Sequence, residues 1–245
     1  MYRMNTIEKL KKPGRFLEVS VIQDILTNYT FYKTSLIEIL KNESENPQDP
    51  NSRVEDNSYL YAIYILAEKK EKEVFDMILK LFSREGNFLN PLLGDIVLQN
   101  LAQILTSTFN GNISNIKNLI LDERLNEYIR ATYLEAISML TYLKEIPRED
   151  TFYFFSELFK IEKKNPIFLW SILAQSSVLL FNKQFSKEIL SLFDSNLIDE
   201  VFLTREEVEE FWSNPEEASL NTVKKKWGKI LSAIEDMNWW ANLIL

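Results

Sequence analysis

The chain has no cysteine and no histidine among its 245 residues. The first absence removes disulfides, thiolate nucleophiles and zinc-thiolate or iron-sulfur sites; the second removes the commonest general base and the commonest metal ligand. Any chemistry must therefore use carboxylates, lysine, tyrosine or hydroxyls. No metal, no cofactor and no catalytic residue is assigned. Glycine is also scarce, at five residues, well below the average usage of about 7%. Tight β-hairpins need glycine for positive φ, whereas helical hairpins can turn on Asn, Asp, Ser or Pro. A sheet protein is thus disfavoured and an all-α fold expected.

Long apolar runs are missing too. The most apolar stretch, Ile167 to Phe181, is broken by Ser171, Gln175, Ser176 and Ser177, too short and too polar to span a bilayer. The basic segment Met1 to Arg15 has no apolar run behind it, so no secretory signal is expected. A soluble, cytoplasmic protein follows, and the lack of cysteine fits a reducing compartment. The formal net charge of -8 repels phosphate backbones and anionic lipid heads, so neither nucleic acid nor membrane is expected as a partner. What is present in quantity is hydrophobic, 46% of the chain, with 16 Phe, 10 Tyr and 5 Trp, ample for a large core.

Periodicity is helical. Leu60, Ile63, Tyr64 and Ala67 recur at offsets of one helix face, Leu93, Ile96, Val97, Leu101, Ile104 and Leu105 continue the pattern, and Ile167, Trp170, Ala174, Ser177, Val178 and Phe181 repeat it. Shorter stripes lie between, at Val74, Met77, Ile78 and Leu81 and at Phe152, Phe155, Leu158 and Phe159. Asn90-Pro91, Asn165-Pro166 and Asn214-Pro215 each place an N-cap acceptor before a proline at the first helical position. Thr204 and Glu207 have the spacing of a capping box. The late-helix pairs Ile65-Leu66, Ile104-Leu105, Met139-Leu140 and Leu179-Leu180 lie 39, 35 and 40 positions apart. That spacing predicts an α-α superhelix of HEAT or armadillo-like helical hairpins, with an irregular bundle as the alternative. The expected organisation is a single helical-repeat domain over 1–245: N-terminal helices and a polar loop (1–56, the loop from Asn42 to Asn57), core repeats (57–203) and C-terminal capping helices (204–245). Asn110-Gly111-Asn112 reads as a turn within one repeat.

Tyr59 to Glu68 (YLYAIYILAE), Leu93 to Leu105 (LGDIVLQNLAQIL), Phe109 to Asp122 with its Asn-Gly-Asn turn, and Asn126 to Leu140 (NEYIRATYLEAISML) together resemble a bacterial family catalogued as domain of unknown function 1186. Phe168-Leu169-Trp170 and Leu197-Ile198-Asp199-Glu200 look like further family positions, and the resemblance runs over roughly residues 15–212. It implies a HEAT-like fold and no reaction. Two departures are visible. Leu98 and Gln99 stand where family members often carry Thr-Glu, and the Cys/His zinc module that ends many relatives is absent.

Three residues are singled out as candidate binding positions: Asp95, Arg130 and Trp170. Asp95, near the helix start at Pro91, either supports the helix dipole or holds a cationic group. Arg130 either pairs with Glu127 on its own helix face or reaches a neighbouring carboxylate such as Asp95. Trp170 is either core or a ligand platform in a groove. Lys224-Lys225-Lys226 beside Trp227 reads as the solvated face of a final helix with Val223, Trp227, Ile230 and Ile234 buried; joined on one face by Lys9, Lys11 and Lys12 it would instead suit nucleic acid. The apolar tail Trp239, Trp240, Leu243, Ile244 and Leu245 either folds back on the last hairpin or makes a homodimer contact. The expectation is a non-enzymatic protein-protein interaction scaffold for an acidic protein's natural counterpart, a basic protein or peptide. The alternative is a carboxylate-based enzyme or small-ligand binder using the superhelical groove.

Overall fold

A computed structural model of the chain describes residues 4–11, 18–47, 56–84, 95–96, 99–161, 167–214, 223–224 and 227–241. Among them are thirteen α-helices, two short 3-10 turns and no strand, so the all-α expectation holds. In chain order the helices are α1 Met4–Leu10, α2 Val19–Thr27, α3 Tyr29–Glu45, α4 Ser58–Glu68, α5 Phe75–Phe82, α6 Leu101–Thr108, α7 Ile113–Leu121, α8 Glu127–Tyr142, α9 Arg148–Lys160, α10 Ile167–Leu179, α11 Ser186–Asp194, α12 Arg205–Ser213 and α13 Ala233–Ala241.

The chain divides into two compact units. Residues 1–100, 107–111 and 229–245 make the first, and residues 101–106 and 112–228 the second. The first is organised around α4. Its sequence carries no charge before Glu68, and every residue from Ser58 to Ala67 is buried, so the helix needs cover on all sides. α3 packs on it and α13 packs on it. In the second unit α8 plays that part, packed by α7, α9 and α10. α10 is buried from Leu169 to Ala174 and again from Ser176 to Leu179. Two of its three serines are tolerated because Ser171 and Ser177 donate 2.8 Å to the carbonyls of Ile167 and Leu173 one turn back.

Helix stops explain how the chain does with so little glycine. Lys70, Lys144, Phe181 and Asn196 take positive φ, 57°, 61°, 54° and 53°. Each closes a helix by the same pair of bonds: Lys70 and Glu71 donate to Ala67 and Leu66, Lys144 and Glu145 to Thr141 and Leu140, Phe181 and Asn182 to Val178 and Ser177, Asn196 and Leu197 to Phe193 and Leu192. This is the Schellman arrangement, usually built on glycine. Gly111, φ 96°, serves the Asn-Gly-Asn turn between α6 and α7.

The capping box at α12 is present: Thr204 Oγ1 accepts from the Glu207 amide at 3.1 Å and Glu207 Oε2 from the Thr204 amide at 2.7 Å. Pro91, Pro166 and Pro215 of the Asn-Pro pairs lie outside the described residues. Four local expectations change. α3 continues to Glu45, so Asn42 to Glu45 are helix rather than loop. The stripe from Leu93 to Leu105 is not one helix across Asn100, where φ is -132° and α6 begins at the next residue; the Asn100 side chain accepts from Tyr64 and Trp239. Val223, Trp227 and Ile230 are buried as expected but Ile234 is only half-buried, and 227–232 is not helical, so that α13 starts only at Ala233. Leu243, Ile244 and Leu245 of the tail lie outside the described residues, and its described Trp240 seats on α4 rather than on the last hairpin. Trp240 is buried with its ring 5.1 Å from Tyr61 and 5.9 Å from Tyr64.

Candidate functional site

α3 has two working faces. Tyr32, Leu36, Leu40 and Ser44, four residues apart, are buried. A second row one step round the helix, Phe31, Ser35, Ile39, Asn42 and Asn46 with Glu38 beside it, lines a cleft of about 600 Å³ whose other walls come from α1 and the start of α4. That volume lies within the usual range of ligand sites.

The described walls are aromatic and apolar, from Ile7, Phe31, Tyr32, Ile39 and Tyr59, and carry the carboxylates Glu8, Glu38, Glu43 and Asp56 together with Lys11. Lys11 is already paired with Glu8 at 2.9 Å. Phe31 remains 56% exposed and meets Tyr32 edge to face at 5.0 Å. Tyr32 is held from behind, donating 2.8 Å to Asp24 Oδ2, which also accepts from Thr6 at 3.0 Å. Asp56 Oδ1 accepts from the Ser58 amide at 2.9 Å, which fixes the entry to α4. The Arg84 guanidinium donates 2.6 Å to the Glu43 carbonyl, and burial lowers its proton affinity. A rigid aromatic wall edged with negative charge is suited to a cationic, partly apolar ligand.

The residues singled out from sequence lie elsewhere. Asp95 is exposed on a helical stretch of the first unit. Arg130, in the first turn of α8, sends Nε 2.7 Å to the Ile120 carbonyl at the end of α7. Burial lowers its proton affinity, opposed by the charges of Glu123, Asp122 and Glu127. Glu127 turns its Oε2 to the Phe168 amide at 3.3 Å. Trp170 is 3% exposed, within the core of the second unit. The α3 row was missed because a polar-lined cleft wall and an ordinary solvated face have the same composition. The available signal was Phe31 recurring with Ser35, Glu38, Ile39 and Asn42 at helical spacing.

Among the described residues no helix is long and apolar enough to cross a membrane, and no three carboxylates converge as a metal site would require. An uncharacterized protein of Chlamydia muridarum (strain MoPn / Nigg) is 29% identical over 208 residues, covering 83% of this chain and 82% of its own length. An uncharacterized protein of Chlamydia trachomatis serovar D is 29% identical over 211 residues, covering 84% and 82%. No solved structure matches the chain. Residues 1–244 match the family described as Protein of unknown function (DUF1186), and the chain belongs to that family.

Proposed function

We propose that the protein is a non-enzymatic, cytoplasmic interaction scaffold of HEAT-like helical hairpins, and that its first unit receives a basic segment of a partner protein in the cleft along α3. The observation that carries this reading is the cleft itself, whose wall holds an exposed Phe31 and, two turns on, the exposed Glu38, which no described cation pairs, while Lys11 is already taken by Glu8. An overall charge of -8 adds long-range attraction for a basic partner. Helical-hairpin stacks present long surfaces of this kind.

A labelled amphipathic lysine-leucine peptide, titrated against the full chain, tests the reading. Binding should weaken steeply as salt rises, and Glu38→Lys should remove most of it. Equal binding by the wild type and by Glu38→Lys would sink the proposal. The cleft's volume also suits the second reading, a small cationic ligand. In that case a free lysine or arginine derivative competes as well as the peptide does.

A further inference from the structure

Three rings from distant stretches of the second unit form a ladder. Tyr128 stands in the first turn of α8, Phe168 in the first turn of α10, and Phe202 in the turn before α12. Tyr128 and Phe168 have centroids 4.6 Å apart, and Phe168 meets Phe202 edge to face at 4.8 Å and 82°. Backbone and side-chain bonds hold the ladder from beneath. The Phe168 amide donates to Glu127, the Asp199 amide donates 2.8 Å to Ser171 Oγ, and Gln175 Nε2 donates 2.6 Å to the Phe202 carbonyl. The ladder is therefore fixed before anything binds, yet Tyr128 is 44% exposed and the neighbouring Val201 86%.

Elsewhere in this unit cations sit over rings: Lys117 over Phe154, Arg148 over Phe152, Lys183 over Phe181 and Arg205 over Phe193. Among the described residues none lies over Tyr128, Phe168 or Phe202. Glu127, which holds the Phe168 amide, lies within the field of Arg130, while Asp199 and Glu200, on the turn that carries Phe202, are exposed and make no ion pair with a described cation. A surface-exposed ring in a ladder whose far turn carries two exposed carboxylates is complementary to a cation that is flat and weakly hydrated.

We infer that this ladder is a docking surface for an extended, arginine-bearing segment of a partner protein, the guanidinium stacking on Tyr128 and an apolar neighbour covering Val201. Arginine is favoured over lysine because its planar group stacks on an aromatic face and still offers donors at its edge, with the exposed carboxylates of Asp199 and Glu200 drawing the segment's positive charge. The surface belongs wholly to the second unit and stands independently of the α3 cleft.

The probe is a labelled peptide of alternating arginine and leucine, titrated by anisotropy against the full chain, with its lysine-leucine counterpart as the comparison. The arginine peptide should bind several-fold more tightly than the lysine one. Tyr128→Ala and, at an exposed position, Glu200→Lys should each weaken it about tenfold, and Glu38→Lys in the cleft should leave the arginine preference intact. Thermal melts of each variant accompany the titrations. If Tyr128→Ala melts early, Glu200→Lys decides. Wild-type affinity in Glu200→Lys, or loss of the arginine preference only in Glu38→Lys, overturns the inference.

Discussion

The Ala233 amide donates 2.8 Å to Glu68 Oε2 across 165 positions of chain, so the carboxylate that ends α4 caps the start of α13. Glu68 is well suited to this. Its other oxygen lies 3.3 Å from Lys69 Nζ and its side chain is only 18% exposed. A carboxylate at the first turn of a helix satisfies an orphan amide and meets the positive end of the dipole. Glu68→Ala should destabilise the first unit by about 1–2 kcal/mol in urea unfolding, with Glu68→Gln losing less because an oxygen acceptor remains. The specific readout is amide exchange at Ala233, which should accelerate in Glu68→Ala; an unchanged rate there would show that Glu68 acts by packing alone.

Two tyrosines one turn apart on α4 should respond oppositely to loss of their hydroxyls. Tyr64 donates 2.7 Å to Asn100 Oδ1, the same oxygen that accepts from Trp239 Nε1 at 2.8 Å. The Tyr61 hydroxyl is buried with no hydrogen-bond partner among the described residues, and burial pushes its pKa up to about 12. Removing a satisfied buried hydroxyl costs about 1 kcal/mol, whereas removing an unsatisfied one is neutral or stabilising. Tyr64→Phe should therefore lower the melting temperature and Tyr61→Phe should leave it or raise it. Equal losses in the two variants would contradict the assignment of partners.

How much of this could be read from the sequence depends on the range of the interaction. Scarce glycine and the stripes at Leu60 to Ala67 and Ile167 to Phe181 already point to helices, and Thr204 with Glu207 marks a helix start that the structure contains. These are signals within one or two turns of chain. The seat of Trp240 on Tyr61 and Tyr64 has no such signal, because nothing in local periodicity says which distant helix an apolar segment covers. The end of α3 was hidden for a different reason: Asn42, Glu43, Ser44 and Glu45 have loop-like composition, yet the helix runs through them with Ser44 Oγ bonded 2.8 Å to the Lys41 carbonyl. In the candidate site, nothing local to Phe31 marks it as a cleft wall, because α1 and α4 supply the other walls.

Asp236 gives the seat of α13 a dependence on pH. Burial raises its pKa above the ordinary value of 3.8, with the charges of Glu235 and Glu68 adding to the effect and the amides of Ser232 and Leu231 opposing it. The folded state then holds the proton more tightly than the unfolded chain does. Between the ordinary value and the raised one, the folded state binds more protons, so stability falls as pH rises through that interval and stays lower above it. Asp236→Asn should stabilise the protein at neutral pH and lose that advantage below the ordinary carboxylate pKa. Melting curves of both proteins across the acid range check this, and a constant difference at every pH would exclude a titrating Asp236 as its source.

Arg130 offers a test of hydrogen bond against ion pair. Its sequence neighbours Glu123 and Glu127 invite an ion-pair reading, but Nε donates 2.7 Å to the Ile120 carbonyl, one of the last carbonyls of α7, which has no acceptor role within its own helix. The bond ties the end of α7 to the start of α8. A charged donor on a part-buried carbonyl is worth about 2 kcal/mol, and it is screened far less than an exposed ion pair. Arg130→Met should lower stability by about that amount at low salt and by nearly the same amount at high salt. Arg130→Lys should not restore it, since an ammonium at the end of a longer flexible stem cannot reproduce the directed Nε–H. If the penalty of Arg130→Met instead disappears as salt is raised, or lysine restores the wild-type melting point, the charge of Arg130 rather than its bond to Ile120 is what secures the α7 to α8 junction.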